Sequence, residues 1–140
     1  MKIVARVSFC VAAILVCLPA MAQAQLTGKV THEVGGSVGH LPQTRPLAGA
    51  TIIIGAGIDI EVGQTGTDKV RGRVAAKVIS GSDGTFTLNV PAGTYDVICW
   101  KQGYVPQREG RIKVPGTLPL SLGADSSGRG LHREITYAAR

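Results

Sequence analysis

The sequence predicts an all-β protein folded as a single sandwich domain. The first observation is compositional: 140 residues carry nineteen Gly and seven Pro, and runs with a helical period are scarce. The second is that short stretches alternate apolar and polar residues, the period-2 signature of half-buried strands. The third is residues 82–104, SDGTFTLNVPAGTYDVICWKQGY, which write turn, strand, turn and strand in succession.

The elements follow in order. Residues 26–31 read as a first strand with Leu26, Gly28 and Val30 on one face. Residues 32–45 contain Gly and Pro and read as a loop. Residues 50–54 are a continuous β-branched run, expected of a central strand covered on both faces. Residues 55–67 are ambiguous; Ile58, Ile60 and Val62 alternate with Asp59 and Glu61, which allows a short edge strand. Residues 70–79 predict a longer strand, with Gly72, Val74, Ala76 and Val78 toward the core and Arg71, Arg73 and Lys77 toward solvent.

Ser82, Asp83 and Gly84 are turn chemistry: an Asp side chain bonds nearby amides and Gly accepts φ > 0. Phe86, Leu88 and Val90 alternate with Thr85, Thr87 and Asn89. Pro91, Ala92 and Gly93 turn the chain. Tyr95, Val97 and Cys99 then alternate with Asp96, Ile98 and Trp100. A connection this short predicts an antiparallel hairpin. Residues 110–114 form another strand, with Ile112 and Val114 inward and Arg111 and Lys113 outward. Leu118, Leu120 and Leu122 alternate with Pro119 and Ser121, and the proline assigns this strand to a sheet edge. Residues 124–130 read as a linker; 131–138 either add a last strand or stay loose.

Three motifs, PLAGATIII (46–54), SDGTFTLNVPAGTYDV (82–97) and KQGY (101–104), resemble in this order the carboxypeptidase regulatory-like domain. The resemblance implies a seven-stranded, Greek-key, prealbumin-like (transthyretin-like) sandwich used as an accessory module, a fold that by itself licenses no activity. Against that pattern the chain carries extra residues between Val30 and Pro46 and between Gly55 and Ser80.

The N-terminus reads as an export leader. Lys2 and Arg6 precede an apolar stretch, 7–18, too short to span a bilayer. Ala22-Gln23-Ala24 is an A-x-A cleavage site, so residues 1–24 are expected to be a signal peptide and 25–140 the mature domain, with cleavage after Ala22 as the minor alternative. The leader looks bacterial; the periplasm is the expected compartment and full secretion the second. Fifteen Lys and Arg against nine Asp and Glu give the whole chain +6; without Lys2 and Arg6 the balance is about +4. Two of three cysteines leave with the leader. Cys99 then stands alone and reads as a small buried apolar residue. No transmembrane segment is expected in the mature chain, and an exported protein without a nucleic-acid motif argues against nucleic acid.

Each candidate chemistry has a weaker or stronger claim. Zinc peptidase chemistry needs a His/Glu cluster; here His32 and Glu33 are neighbours and point to opposite faces of a strand. A transthyretin-like hydrolase ends in Tyr-Arg-Gly-Ser, whereas this chain ends Tyr137-Ala138-Ala139-Arg140. A small hydrolase would require His32, His40 and His132 to converge with a carboxylate such as Glu33 or Glu134. An isopeptide-forming adhesin would need a late Asn or Asp opposite Lys29, and only Asp125, in the linker, is available.

The expectation is therefore a non-catalytic, cofactor-free module of the cell envelope whose partner is a protein or a glycan. If Tyr95 and Val97 face inward, Ile98 and Trp100 face outward, and with Tyr104 they form the first candidate partner surface; Trp100 and Tyr104 on one surface would serve a sugar ring. Arg71, Arg73, Lys77, Arg111 and Lys113 form the second, facing anions if the two strands adjoin.

Overall fold

In the computed structural model, which describes residues 22–61, 67–125 and 134–137, the strands form two sheets. The first is centred on β1 (Gln23–Val34). It is flanked by antiparallel β5 (Thr85–Pro91) on one side and parallel β8 (Gly116–Leu122) on the other, and the short β2 (Gln43–Pro46) extends the β5 side. The second runs β7 (Gln107–Val114), β6 (Gly93–Trp100), β3 (Thr51–Glu61), β4 (Thr67–Ile79) and β9 (Glu134–Tyr137). Setting aside the four-residue β2 and β9, seven strands build the sandwich.

The period-2 alternation places the core as expected. Leu26, Val30, Phe86, Leu88, Leu120 and Leu122 from the first sheet meet Ile52, Ile54, Val97, Cys99 and Val114 from the second. Each large side chain buried this way contributes about 1.5–3 kcal/mol over an exposed one. Gly28 shares the inward face with Leu26 and Val30 because no side chain fits there. A Cβ on it would lie 2.0 Å from the Leu118 carbonyl oxygen and 2.5 Å from the Phe86 ring. Pro119 sits in β8, an edge of the first sheet, where its missing N–H costs no ladder bond.

The 82–84 turn forms as the residues dictate. Asp83 Oδ1 accepts from the Thr85 hydroxyl at 2.6 Å and from its amide at 3.1 Å, and Gly84 takes φ 77°.

Three expectations are corrected, and one open stretch takes a definite form. The 85–100 hairpin does not form: β5 pairs with β1, and β6 pairs with β3 and β7. A two-residue hairpin loop needs positive φ. Only Ala92 separates these strands, and neither it nor Gly93 is left-handed, so the chain crosses between sheets, anchored by the Tyr95 hydroxyl donating to the Pro91 carbonyl at 2.6 Å.

The 32–45 loop is instead a ribbon, with Thr31 to Val34 paired to Pro46 through Gln43. The ambiguous 55–61 stretch continues β3. Finally, β4 does not keep one set of residues inward. Its register slips between Ile54/Ala76 and Gly55/Val74, leaving Ala75 as an extra, bulged residue. Ala76 and Val78 pack on the main core, while Val74 packs on a second cluster on the opposite face.

Candidate functional site: two outer faces and a ribbon tip

The outer face of the second sheet is covered by its own hairpin. At a second irregularity, Gly57 and Ile58 oppose the single residue Gly72, with Gly57 at φ 63° and Gly72 at φ 98°. Here the end of β3 and the start of β4 fold back as an arm. A Cβ on Gly72 would lie 2.6 Å from the Gly57 carbonyl oxygen, so the bend is too tight for any other residue. Ile58, Ile60 and Val70 on the inner side of the arm close over Ile53, Val74 and Ile98. Beyond them Asp68, fully buried, accepts a hydrogen bond at 3.2 Å from Trp100 Nε1.

Ile98 points away from the main core, as the alternation requires, yet it is 0 % exposed, and its expected exposure is corrected. Its cross-strand neighbour Ile53 belongs to the apolar run of β3, and one cover hides both. Trp100 is half-buried and engaged by Asp68. Tyr104 packs against the main core instead and hydrogen-bonds His32 Nδ1 at 2.7 Å, the rings 5.6 Å apart. Trp100 is thus held by Asp68 beneath the arm and Tyr104 by His32 and the main core, so the two do not make one platform.

The clasp of the arm is a residue absent from both expected surfaces. Arg108 lies opposite Ile98, donates to the Ile58 carbonyl at 3.0 Å, and pairs with Asp59 at 3.6 Å and Asp96 at 3.3 Å. Residues 107–109 fall outside the expected 110–114 strand, so Arg108 had no face in the sequence reading.

The basic residues do not gather. Arg71 lies on the arm, paired with Glu61 and opposite Asp59. The bulge at Ala75 puts Arg73, opposite Ala56, and Lys77, opposite Ile53, on different faces. Arg111 and Lys113 lie on β7, separated from β4 by β6 and β3. Arg111 adopts φ 58° at a bulge, its amide donating to Asp96 Oδ1 at 3.4 Å. The single basic face expected from the two strands is thus corrected to separate charges, with Arg71 paired to a carboxylate.

The outer face of the first sheet is polar and, among the described residues, has nothing over it. Thr87, Thr27 and Thr117 form one cross-strand row, and Thr85, Lys29 and Pro119 the next. They line a shallow depression of about 340 Å³.

Among the described residues the most exposed apolar groups lie elsewhere. The β1–β2 ribbon ends in a turn in which the His40 amide donates to the Ser37 carbonyl at 2.9 Å. This turn presents Val38 at 105 % and Leu41 at 92 % exposure. Their signal in the sequence is two branched aliphatics isolated among Gly, Ser, His and Pro, with no alternation to give them an inward face.

Of the three histidines, His32 is held by Tyr104, His40 sits in the ribbon turn, and His132 lies outside the described residues. Among the described residues no three His, Cys, Asp or Glu side chains are grouped to hold a metal ion. Cys99 is buried, and burial pushes its thiol up to about 12, far from the thiolate that nucleophilic chemistry requires. No helix among the described residues is long and apolar enough to cross a membrane.

No protein-family model and no curated protein matches the sequence. Solved structures are similar in shape. One is an N-terminal interface mutant of a type II cohesin–X–dockerin complex from Acetivibrio cellulolyticus, with TM-score 0.49 and 17 % identity over 79 % of this chain and 64 % of that one. Another is the minor pilin of Streptococcus agalactiae, with TM-score 0.43 and 15 % identity over 74 % of this chain and 45 % of that one. A streptococcal ancillary pilin gives TM-score 0.38 and 16 % identity over 74 % and 30 %. The chain spans less than two thirds of each of these three.

Proposed function

We propose that the protein is an exported, non-catalytic β-sandwich module of the cell envelope that works by contacting another protein, through the tip of the β1–β2 ribbon. The observation that carries this reading is the exposure of Val38 and Leu41. Two aliphatic side chains held in water at the end of a paired ribbon gain free energy on entering an apolar site, about 25 cal/mol for each Å² covered. Loops on a rigid scaffold are the usual carriers of such contacts. The leader at 1–24 supports export to the periplasm or beyond. The three motifs and the seven-stranded sandwich support membership of the carboxypeptidase regulatory-like, prealbumin-like group.

The test compares the wild-type protein with Val38→Ser/Leu41→Ser in capture from envelope extract, after circular dichroism shows equal folding. The proposal expects a captured protein that the double variant loses. Equal capture by both would remove the ribbon tip from the partner surface.

A further inference from the structure

We propose that the arm is an exchangeable element whose partner is a second copy of this chain. Straightened at Gly57 and Gly72, it covers the outer face of the second sheet on a neighbouring molecule. This stands apart from the ribbon-tip reading and uses none of its residues.

The occupant is fixed by complementarity already built into the fold. Ile58, Ile60 and Val70 of the arm close over Ile53, Val74 and Ile98 of the sheet. Asp68 of the arm accepts from Trp100 Nε1 at 3.2 Å, and Arg108 of β7 donates to the Ile58 carbonyl at 3.0 Å. A second copy carries the same arm and the same face. Each contact can therefore be remade between molecules, in two identical halves related by a two-fold axis.

The hinge is local. The β3–β4 ladder is paired on both sides of the bend, Ala56 with Arg73 and Asp59 with Arg71. Between these pairs lie only Gly57, Ile58 and Gly72, so the arm can straighten with its own ladder intact. Gly57 at φ 63° and Gly72 at φ 98° hold the closed form, and glycine reaches extended backbone as readily. Among the described residues β9 pairs only with the arm, at Thr67 to Val70, and keeps that ladder in either form. The closed monomer and the exchanged pair thus share their contacts and differ at the bend. Association costs entropy, so the monomer holds at low concentration, and whatever forbids the bend favours the pair.

Gly72 gives the test. A Cβ there would lie 2.6 Å from the Gly57 carbonyl oxygen, and φ 98° is closed to a β-branched residue. Gly72→Val therefore removes the closed form and favours an extended strand. The straightened arm leaves six aliphatic side chains in water until a second copy covers them.

Wild type and Gly72→Val, each expressed from the full chain, are compared by size exclusion with light scattering. Both are also labelled at the thiol in a Cys99→Ala/Ile98→Cys background. The expected result is a wild-type monomer and a Gly72→Val dimer, with position 98 protected in both. The same mass for both folded proteins would overturn the inference. So would a Gly72→Val dimer labelled promptly at position 98, because its sheet face would be uncovered. If Gly72→Val does not fold, the wild type decides. Unfolded and refolded at high concentration, it is expected to yield a dimer that persists on dilution; monomer alone would overturn the inference.

Discussion

The two outer faces of the sandwich are built on the same alternation and end in opposite states. On the first sheet the outward positions of β1, β5 and β8 are Gln, Thr, Lys, Glu, Asn, Pro and Ser, all exposed or half-exposed. On the second sheet the outward positions include Ile53, Ile98 and Trp100, and the end of β3 and the start of β4 form an arm that folds back over them. Alternation says which side chains leave the core. It does not say whether water reaches them; that depends on what the chain does next.

The contrast can be broken most forcefully at Ile98. Ile98→Ala empties a site with no exposure and should cost about 2–5 kcal/mol in urea unfolding. The outward-facing Thr87→Ala should stay under about 1 kcal/mol. Similar losses at both sites would mean that the two faces are equally solvated.

A smaller effect is expected at the far end of the arm. Trp100→Phe keeps an aromatic ring, though a smaller one, and removes the N–H that reaches buried Asp68. The expected cost is about 1–3 kcal/mol, read by thermal unfolding, with faster hydrogen exchange in residues 67–71. Unchanged exchange there would mean that the indole does not hold the arm.

At the β7 edge, Arg111 stands in the left-handed region, which costs a non-glycine residue roughly 1–2 kcal/mol. Arg111→Gly should therefore stabilise the protein by about 1 kcal/mol, less what glycine adds to unfolded-chain entropy, and the denaturation midpoint is the readout.

The smallest effect is that of the 82–84 turn. The hydroxyl and amide of Thr85 hold the Asp83 carboxyl below its ordinary 3.8. Because the folded value is depressed, the stabilisation is present above 3.8 and fades as pH falls through the lower folded value. Asp83→Asn should be less stable than wild type at neutral pH, and the gap should close below pH 3.8. A gap that persists in acid would assign the effect to turn geometry instead of charge.

Much of this architecture is legible in the residues. Leu26 and Val30, Phe86 through Val90, and Leu118 through Leu122 announce their inward faces, and Pro119 announces an edge. The run Ile52-Ile53-Ile54 announces a strand covered on both sides, and Val97-Ile98-Cys99 carries the same message. Read together, as cross-strand neighbours, they would have shown that Ile98 is covered. What local pattern does not carry is where a register slips. The bulge at Ala75 and the bend at Gly57 and Gly72 redistribute Arg71, Arg73, Lys77 and Val74 among faces, and no alternation within β4 marks them. The crossing at Ala92 is likewise written as a turn, and only the pairing partners of β5 and β6 distinguish it from a hairpin.

The central claim is that the arm seals the outer face of the second sheet while that of the first stays open. Thiol labelling tests it most directly, in a Cys99→Ala background carrying either Ile98→Cys or Thr87→Cys. The account predicts prompt labelling at position 87, and labelling at position 98 only at the rate at which the arm or the whole domain opens. Equally prompt labelling at both positions in a folded protein would contradict it.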